Sequence, residues 1–154
     1  MSEHHAVVHW QRGSDDFTRG RYSRAHEWRF DGGAVVPASA SPAVVRAPWS
    51  DAAGVDPEEA LVAAISSCHM LWFLSLAAER GFIVEDYEDN AVGTMGRLPN
   101  GHEAVTDVIL RPRIVFAGDR RPDAAEIAAL HESAHERCFI ANSVKSAIRV
   151  EARA

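Results

Sequence analysis

The chain has 154 residues, 47% hydrophobic and 25% charged, a balance that excludes a disordered polymer and fits one globular domain spanning 1–154. Its net charge is −6, with acidic and basic residues dispersed along the sequence. No basic surface is concentrated enough to neutralise phosphates, so nucleic acid is excluded as an expected partner.

The first ten residues carry histidines in place of a basic segment and an apolar run. The apolar stretches read as broken before membrane-spanning length. No membrane partner is expected, and a cytoplasmic location follows. From His5 to Trp10 the residues alternate and suggest a strand; Thr18–His26 and Glu27–Phe30 read as a second and a third, with a turn at Asp31-Gly32-Gly33. A three-stranded meander is the expectation. Pro37 to Trp49 is rich in Pro, Ala and Ser, contains Arg46 as its one charge, and reads as a loop.

Asp56-Pro57-Glu58-Glu59 is a helix start: Asp56 caps, Pro57 suits the first helical position and Glu59 stands three residues past the cap. The helix should run to Arg80 and stop at Gly81. Nearly every residue from Ala60 to Ala78 is apolar, so the helix should be central and buried. About 25 residues span roughly 37 Å at 1.5 Å per residue, more than a small domain covers easily, and a second subunit is one way to cover it.

Phe82–Leu98 and Glu103–Phe116 read as two long strands joined by a turn at Pro99-Asn100-Gly101. A second helix should begin near Pro122 and reach about Arg137, with Ile127, Leu130, Ala134 and Cys138 on one stripe. Ser146–Ala152 closes the chain as a strand. The element order indicates an α+β fold with an N-terminal β-meander, a long central helix, a β-hairpin, a second helix and a C-terminal strand.

Two cysteines, Cys68 and Cys138, occupy helical positions that face the core. Taken separately each reads as a buried thiol, because the cytoplasm keeps disulfides reduced and burial raises a thiol pKa. Taken together they could meet. A separate motif is His131-Glu132-Ser133-Ala134-His135, which matches the HExxH pattern of zinc hydrolases. Its helix, rich in small and charged residues, reads as a solvated face. No third ligand is evident, so no metal and no cofactor is expected, and the match reads as accidental.

The stretch Asp56 to Ala64, followed by Ser67-Cys68-His69, resembles the cysteine-bearing helix of the osmotically inducible protein C and organic hydroperoxide resistance (OsmC/Ohr) family. Cys138 with Ala141-Asn142-Ser143 resembles that family's second-cysteine segment. The resemblance implies a thiol-dependent peroxidase, an intertwined homodimer with active sites at the subunit interface, an organic hydroperoxide substrate and a dithiol reductant of the lipoyl type. Carried over to this chain, Cys68 attacks the peroxide, Cys138 resolves the product as a disulfide, and Glu58 orients an arginine. That arginine is Arg46 if the OsmC branch is followed, and Arg21 or Arg24 if the Ohr branch is. His69 and Phe139 depart from the Phe and Pro usual after the two cysteines. The alternatives are a zinc-binding hydrolase using His131, Glu132 and His135, and a non-catalytic binding module on the same fold.

Overall fold

Side chains along Ala6–His9 alternate along an extended backbone and form β1; His26–Phe30 forms β2 and Val35–Ala38 forms β3. The structure, a computed structural model, describes residues 1–13 and 16–153. Within it, 1–60 and 61–154 form two compact units.

In the first unit β1, β2 and β3 make an antiparallel sheet in that order, with Val8 opposite Trp28 and Trp28 opposite Val36. The expected meander is present, but its membership differs. Thr18–His26 is not a strand: Phe17–Arg19 forms a single 3-10 turn closed by Gly20 at φ 71°. The aromatic residues there gather instead of alternating, with Tyr22 against Phe17 at 4.6 Å and against Trp10 at 5.6 Å between ring centroids. Val35–Ala38 supplies the missing strand, drawn from what reads in sequence as turn and loop, because the Gly33 amide donates to Phe30 and folds the chain straight back.

Pro57–Glu79 forms α1. The expected box closes its N-terminus: the Glu59 amide donates to Asp56 Oδ1 at 2.8 Å, and the Asp56 amide donates to Glu59 Oε2 at 3.2 Å. Gly81, at φ 76°, lets the chain leave the helix through a left-handed turn that a side chain would resist. Contrary to the expectation from sequence, α1 is long and apolar enough to cross a membrane by length and composition, since its interruptions are serines and a histidine in place of charges.

In the second unit α1 buries Ile65, His69, Phe73, Leu76 and Ala77, spaced three and four apart on one face. Ala63, Ala64, Ser67, Leu71, Ser75 and Ala78 on another face remain exposed. The two long strands of the expected hairpin are each divided, giving β4 (Ile83–Asp89), β5 (Val92–Arg97), β6 (Glu103–Leu110) and β7 (Pro112–Ala117). β4 pairs with β7, and β5 with β6, all antiparallel. At the division Asp89 Oδ1 accepts the Arg111 amide at 2.6 Å, taking the place of a backbone carbonyl.

Ala124–Arg137 forms α2, capped by Asp123 and Glu126 in a second reciprocal box. Ala147–Val150 forms β8 and lies parallel to β6. Gly93 on β5 lets this sheet approach α1, because a Cβ there would collide with Val62. Apolar residues fall into two clusters. Phe73, Leu76, Ala77, Phe82, Leu130 and Ala134 form one, and Ile65, Val108 and Leu110 anchor the other. Each large member stabilises the unit by about 1.5–3 kcal/mol through burial.

Candidate active site

α1 supplies Cys68, half-buried, and the C-terminal cap of α2 supplies Cys138, which is 1% exposed. Cys138 follows Leu130 and Ala134 at four-residue steps, and those two are fully buried, so the expected stripe delivers the second sulfur to the interior. Cys68 lies near enough to Cys138 to act on its thiol, and both cysteines are free. Burial pushes the Cys138 pKa up to about 11; the Ala141 and Ile140 amides pull against this and Cys68 adds to it.

The backbone after Cys138 is wound around its sulfur. The Ala141 amide donates to Sγ at 3.3 Å, the Asn142 side chain donates to the Cys138 carbonyl at 3.1 Å, and Ser143 Oγ donates to the Phe139 carbonyl at 2.7 Å. Ala141-Asn142-Ser143 is therefore a fixed turn that positions a thiol. Beside it Trp72 and Phe139 meet edge to face at 5.6 Å, and the Arg137 guanidinium lies 5.7 Å from the Trp72 ring centre. Phe139 is 68% exposed, so an apolar lip stands next to the buried sulfur.

His131 does not lie on a solvated face: it is buried, with Nδ1 3.0 Å from Nε2 of His69, which is buried as well. Burial lowers both pKa values to about 4, and for His69 the neighbouring His131 and His135 add to this while Asp89 opposes it. Both imidazoles are therefore neutral at pH 7. Glu132 and His135 are exposed as expected. Among the described residues, no three His, Cys, Asp or Glu side chains are grouped to hold a metal.

The histidine pair is the feature that reasoning from sequence missed. A signal for it existed: position 69 lies four residues from both Ile65 and Phe73, and position 131 lies four from Ile127 and three from Ala134.

The first unit holds the other residues carried over from the resemblance. Arg46 is exposed, and its carbonyl accepts the Trp49 amide at 3.2 Å. Glu58 lies half-buried in the first turn of α1, with no ion-pair partner among the described residues. Arg21 is exposed. Arg24 is held firmly: its Nη1 donates to the Gly20 carbonyl at 2.9 Å and to the Tyr22 carbonyl at 2.5 Å, and its guanidinium carbon lies 3.6 Å from the Tyr22 ring centre. Arg24 joins Trp10, Phe17, Tyr22 and His26 around a cavity of about 430 Å³.

An α+β fold with two thiols brought together from two helices defines a class of small dithiol proteins, and comparison narrows it. The OsmC-like protein family matches residues 50–153, and the chain belongs to that family. An OsmC-like protein of unknown function from Vibrio cholerae O1 biovar eltor is 54% identical, covers 99% of this chain and 100% of its own, and superposes with a TM-score of 0.97. An organic hydroperoxide resistance protein from Elizabethkingia anophelis is 17% identical over 99% of this chain and 94% of its own, with a TM-score of 0.70. The organic hydroperoxide resistance protein OhrB of Bacillus subtilis is 18% identical over 97% and 96%, with a TM-score of 0.62. At these lower identities the likeness is one of fold. No curated protein matches the chain.

Proposed function

We propose that the protein is a cytoplasmic thiol-dependent peroxidase that reduces organic hydroperoxides. The observation that carries the reading is the proximity of two free thiols, Cys68 and Cys138, in a chain of the OsmC-like family. Cys68, as thiolate, attacks the distal peroxide oxygen; the O–O bond breaks, the alcohol leaves with a proton, and Cys68 becomes a sulfenic acid. Cys138 sulfur then displaces hydroxide from that sulfenic acid, which departs as water with the Cys138 proton, and a Cys68–Cys138 disulfide remains. A dithiol of lipoyl type returns two electrons and two protons. The apolar lip of Trp72 and Phe139 favours a peroxide with an organic tail over hydrogen peroxide.

The thiolate needs a cation, and arginine keeps its charge where lysine would lose it. Glu58 is about 15 Å along α1 from Cys68, ten residues at 1.5 Å each, so it acts through that arginine. Arg46 fills the role in the OsmC-like reading. Arg24 is the second reading, favoured by its fixed guanidinium in an aromatic cavity. The working unit is a homodimer with active sites at the subunit interface, a reading supported by the exposed small-residue face of α1.

The test is consumption of cumene hydroperoxide with dihydrolipoamide as reductant. Wild type should turn over, Cys68→Ser should be inactive, and Cys138→Ser should stop after one equivalent with a trappable sulfenic acid at Cys68. Wild-type turnover by Cys68→Ser would end the proposal. Arg46→Ala and Arg24→Ala in the same assay decide which guanidinium serves.

A further inference from the structure

The hydrogen bond between His69 and His131 joins the two helices that carry the thiols. His69 follows Cys68 directly on α1, and His131 precedes Cys138 by seven residues, two turns, on α2. The rings are 11° from parallel with centroids 5.3 Å apart, while Nε2 of His69 and Nδ1 of His131 are 3.0 Å apart. The centroid separation exceeds the nitrogen separation by about one ring radius at each end. The nitrogens therefore point at each other in the plane of the rings, as in an end-to-end N–H···N bond, and the rings do not stack face on face. A zinc ion on that line would require about 4 Å between the nitrogens, two bonds of about 2.0 Å; the space is taken by a proton.

Along α1 His69 sits between Ile65, which anchors one apolar cluster, and Phe73, which belongs to the other. Phe73 also packs on His131 at 4.5 Å between ring centres. Contacts of this kind are weakly directional: Ala134 on α2 is a small residue against which a neighbouring helix can slide. A hydrogen bond between buried imidazoles is directional. Slippage of α2 by one residue would break it and leave a donor and an acceptor unmatched in an apolar setting, each bearing its desolvation penalty uncompensated. The outer nitrogens, His69 Nδ1 and His131 Nε2, already lack partners among the described residues, so the shared bond is what offsets burying the pair.

We propose that the His69–His131 hydrogen bond is a positioning device for the dithiol, locking the register of α2 on α1 so that Cys138 stays against Cys68. Neither histidine touches the reacting atoms. The consequence for turnover rests on the peroxidase reading above, whereas the consequence for thiol geometry does not.

The experiment separates the two. Equilibration of the whole protein with oxidised and reduced glutathione converts the dithiol to the disulfide with release of two glutathione thiols. The equilibrium constant reads the effective concentration of one cysteine for the other, with no peroxide involved. Two variants are compared with wild type: His69→Phe with His131→Leu, which removes both partners and leaves no unpaired polar group, and His69→Gln, whose amide places a polar atom near the bonded Nε2. The first should lower the constant at least tenfold, raising the reduction potential by about 30 mV; the second should stay within about threefold of wild type. Equal constants for the two variants, whether unchanged or lowered together, overturn the proposal. Should the doubly apolar chain not fold, His131→Leu against His131→Asn carries the same comparison. If cumene hydroperoxide leaves Cys68 unoxidised in wild type, the peroxidase reading falls while the glutathione constants still decide the role of the histidines.

Discussion

The Ala141 amide donates to Cys138 Sγ at 3.3 Å, so the turn that follows α2 closes on the sulfur. A hydrogen bond of that kind stabilises a thiolate, yet burial outweighs it and the pKa stands at about 11. At pH 7 the thiolate is then roughly one molecule in ten thousand. In reduced native protein, Cys138 should remain unalkylated by iodoacetamide at pH 7.5, and its rate should still be rising at pH 10. Site-resolved mass spectrometry provides the readout, with urea-unfolded protein as the reference. Labelling of native Cys138 at the unfolded rate at pH 7.5 would show that the thiol is not held as described.

The neutral histidine pair makes stability depend on pH. In the unfolded chain each imidazole titrates near 6.5, while in the fold both are lowered to about 4. Between those values the unfolded state binds more protons, so acid favours unfolding. The stability is intact above pH 6.5 and declines as pH falls toward 4, by at most about 1.4 kcal/mol per pH unit for each histidine. Urea unfolding at pH 7, 5.5 and 4.5 should show the decline, and the doubly apolar variant at positions 69 and 131 should flatten it. An identical slope in that variant would assign the acid sensitivity to other groups.

Asp89, the last residue of β4, ties α1 and the junction between β6 and β7 to its own strand by one carboxylate. Oδ2 accepts Ser66 Oγ of α1 at 2.5 Å, and Oδ1 accepts the Arg111 amide at 2.6 Å. Hydrogen bonds to a charged acceptor contribute about 1.5–3 kcal/mol each. Asp89→Ala should cost about 2–4 kcal/mol in chemical denaturation and Asp89→Asn roughly half of that, since the amide keeps one acceptor oxygen. A loss below about 0.5 kcal/mol in Asp89→Ala would mean that water replaces both contacts.

That carboxylate also shows where the sequence stops being readable. The caps of α1, the stop at Gly81 and the Pro99-Asn100-Gly101 turn rest on contacts within a few residues, and each is where local chemistry puts it. The core stripe through Leu130, Ala134 and Cys138 follows from helical period alone. At the breaks in the long strands a side chain at 89 reaches a backbone at 111, a contact that leaves no periodic trace. β3 was hidden by Pro37, which reads as a loop residue but is tolerated in a strand where no donor is needed. His131 lay on the apolar stripe, and its polarity together with the HExxH pattern masked its position. Of the two cysteines proposed to react, Cys138 was legible as a core position, whereas Cys68, expected to face the core, is half-buried beside the buried stripe of α1; choosing an arginine depends on tertiary placement that spacing does not encode.

The last prediction concerns the outer face of α1. Ala64, Ser67, Leu71, Ser75 and Ala78 are exposed and fall at steps of three or four, with exposed Ala63 beside them, a stripe of small residues around one leucine that is 60% exposed. A stripe of this kind lets another helix approach closely, and an apolar helix covered on only one side exposes surface whose burial is worth about 25 cal/mol per Å². If a second copy of the chain covers it, sedimentation at micromolar concentration should give a particle of twice the 16.8 kDa chain mass. Leu71→Glu would place a charge in the centre of that contact without touching the buried face, so the chain should still fold while the dimer dissociation constant rises at least a hundredfold. Because Cys68 is one residue from Ser67 and three from Leu71 on the same helix, peroxidase activity per chain should fall with dissociation, in wild type on dilution and in Leu71→Glu already at micromolar concentration. A stable, active 16.8 kDa wild-type particle would show that one chain completes the site alone, and that the α1 stripe has another use.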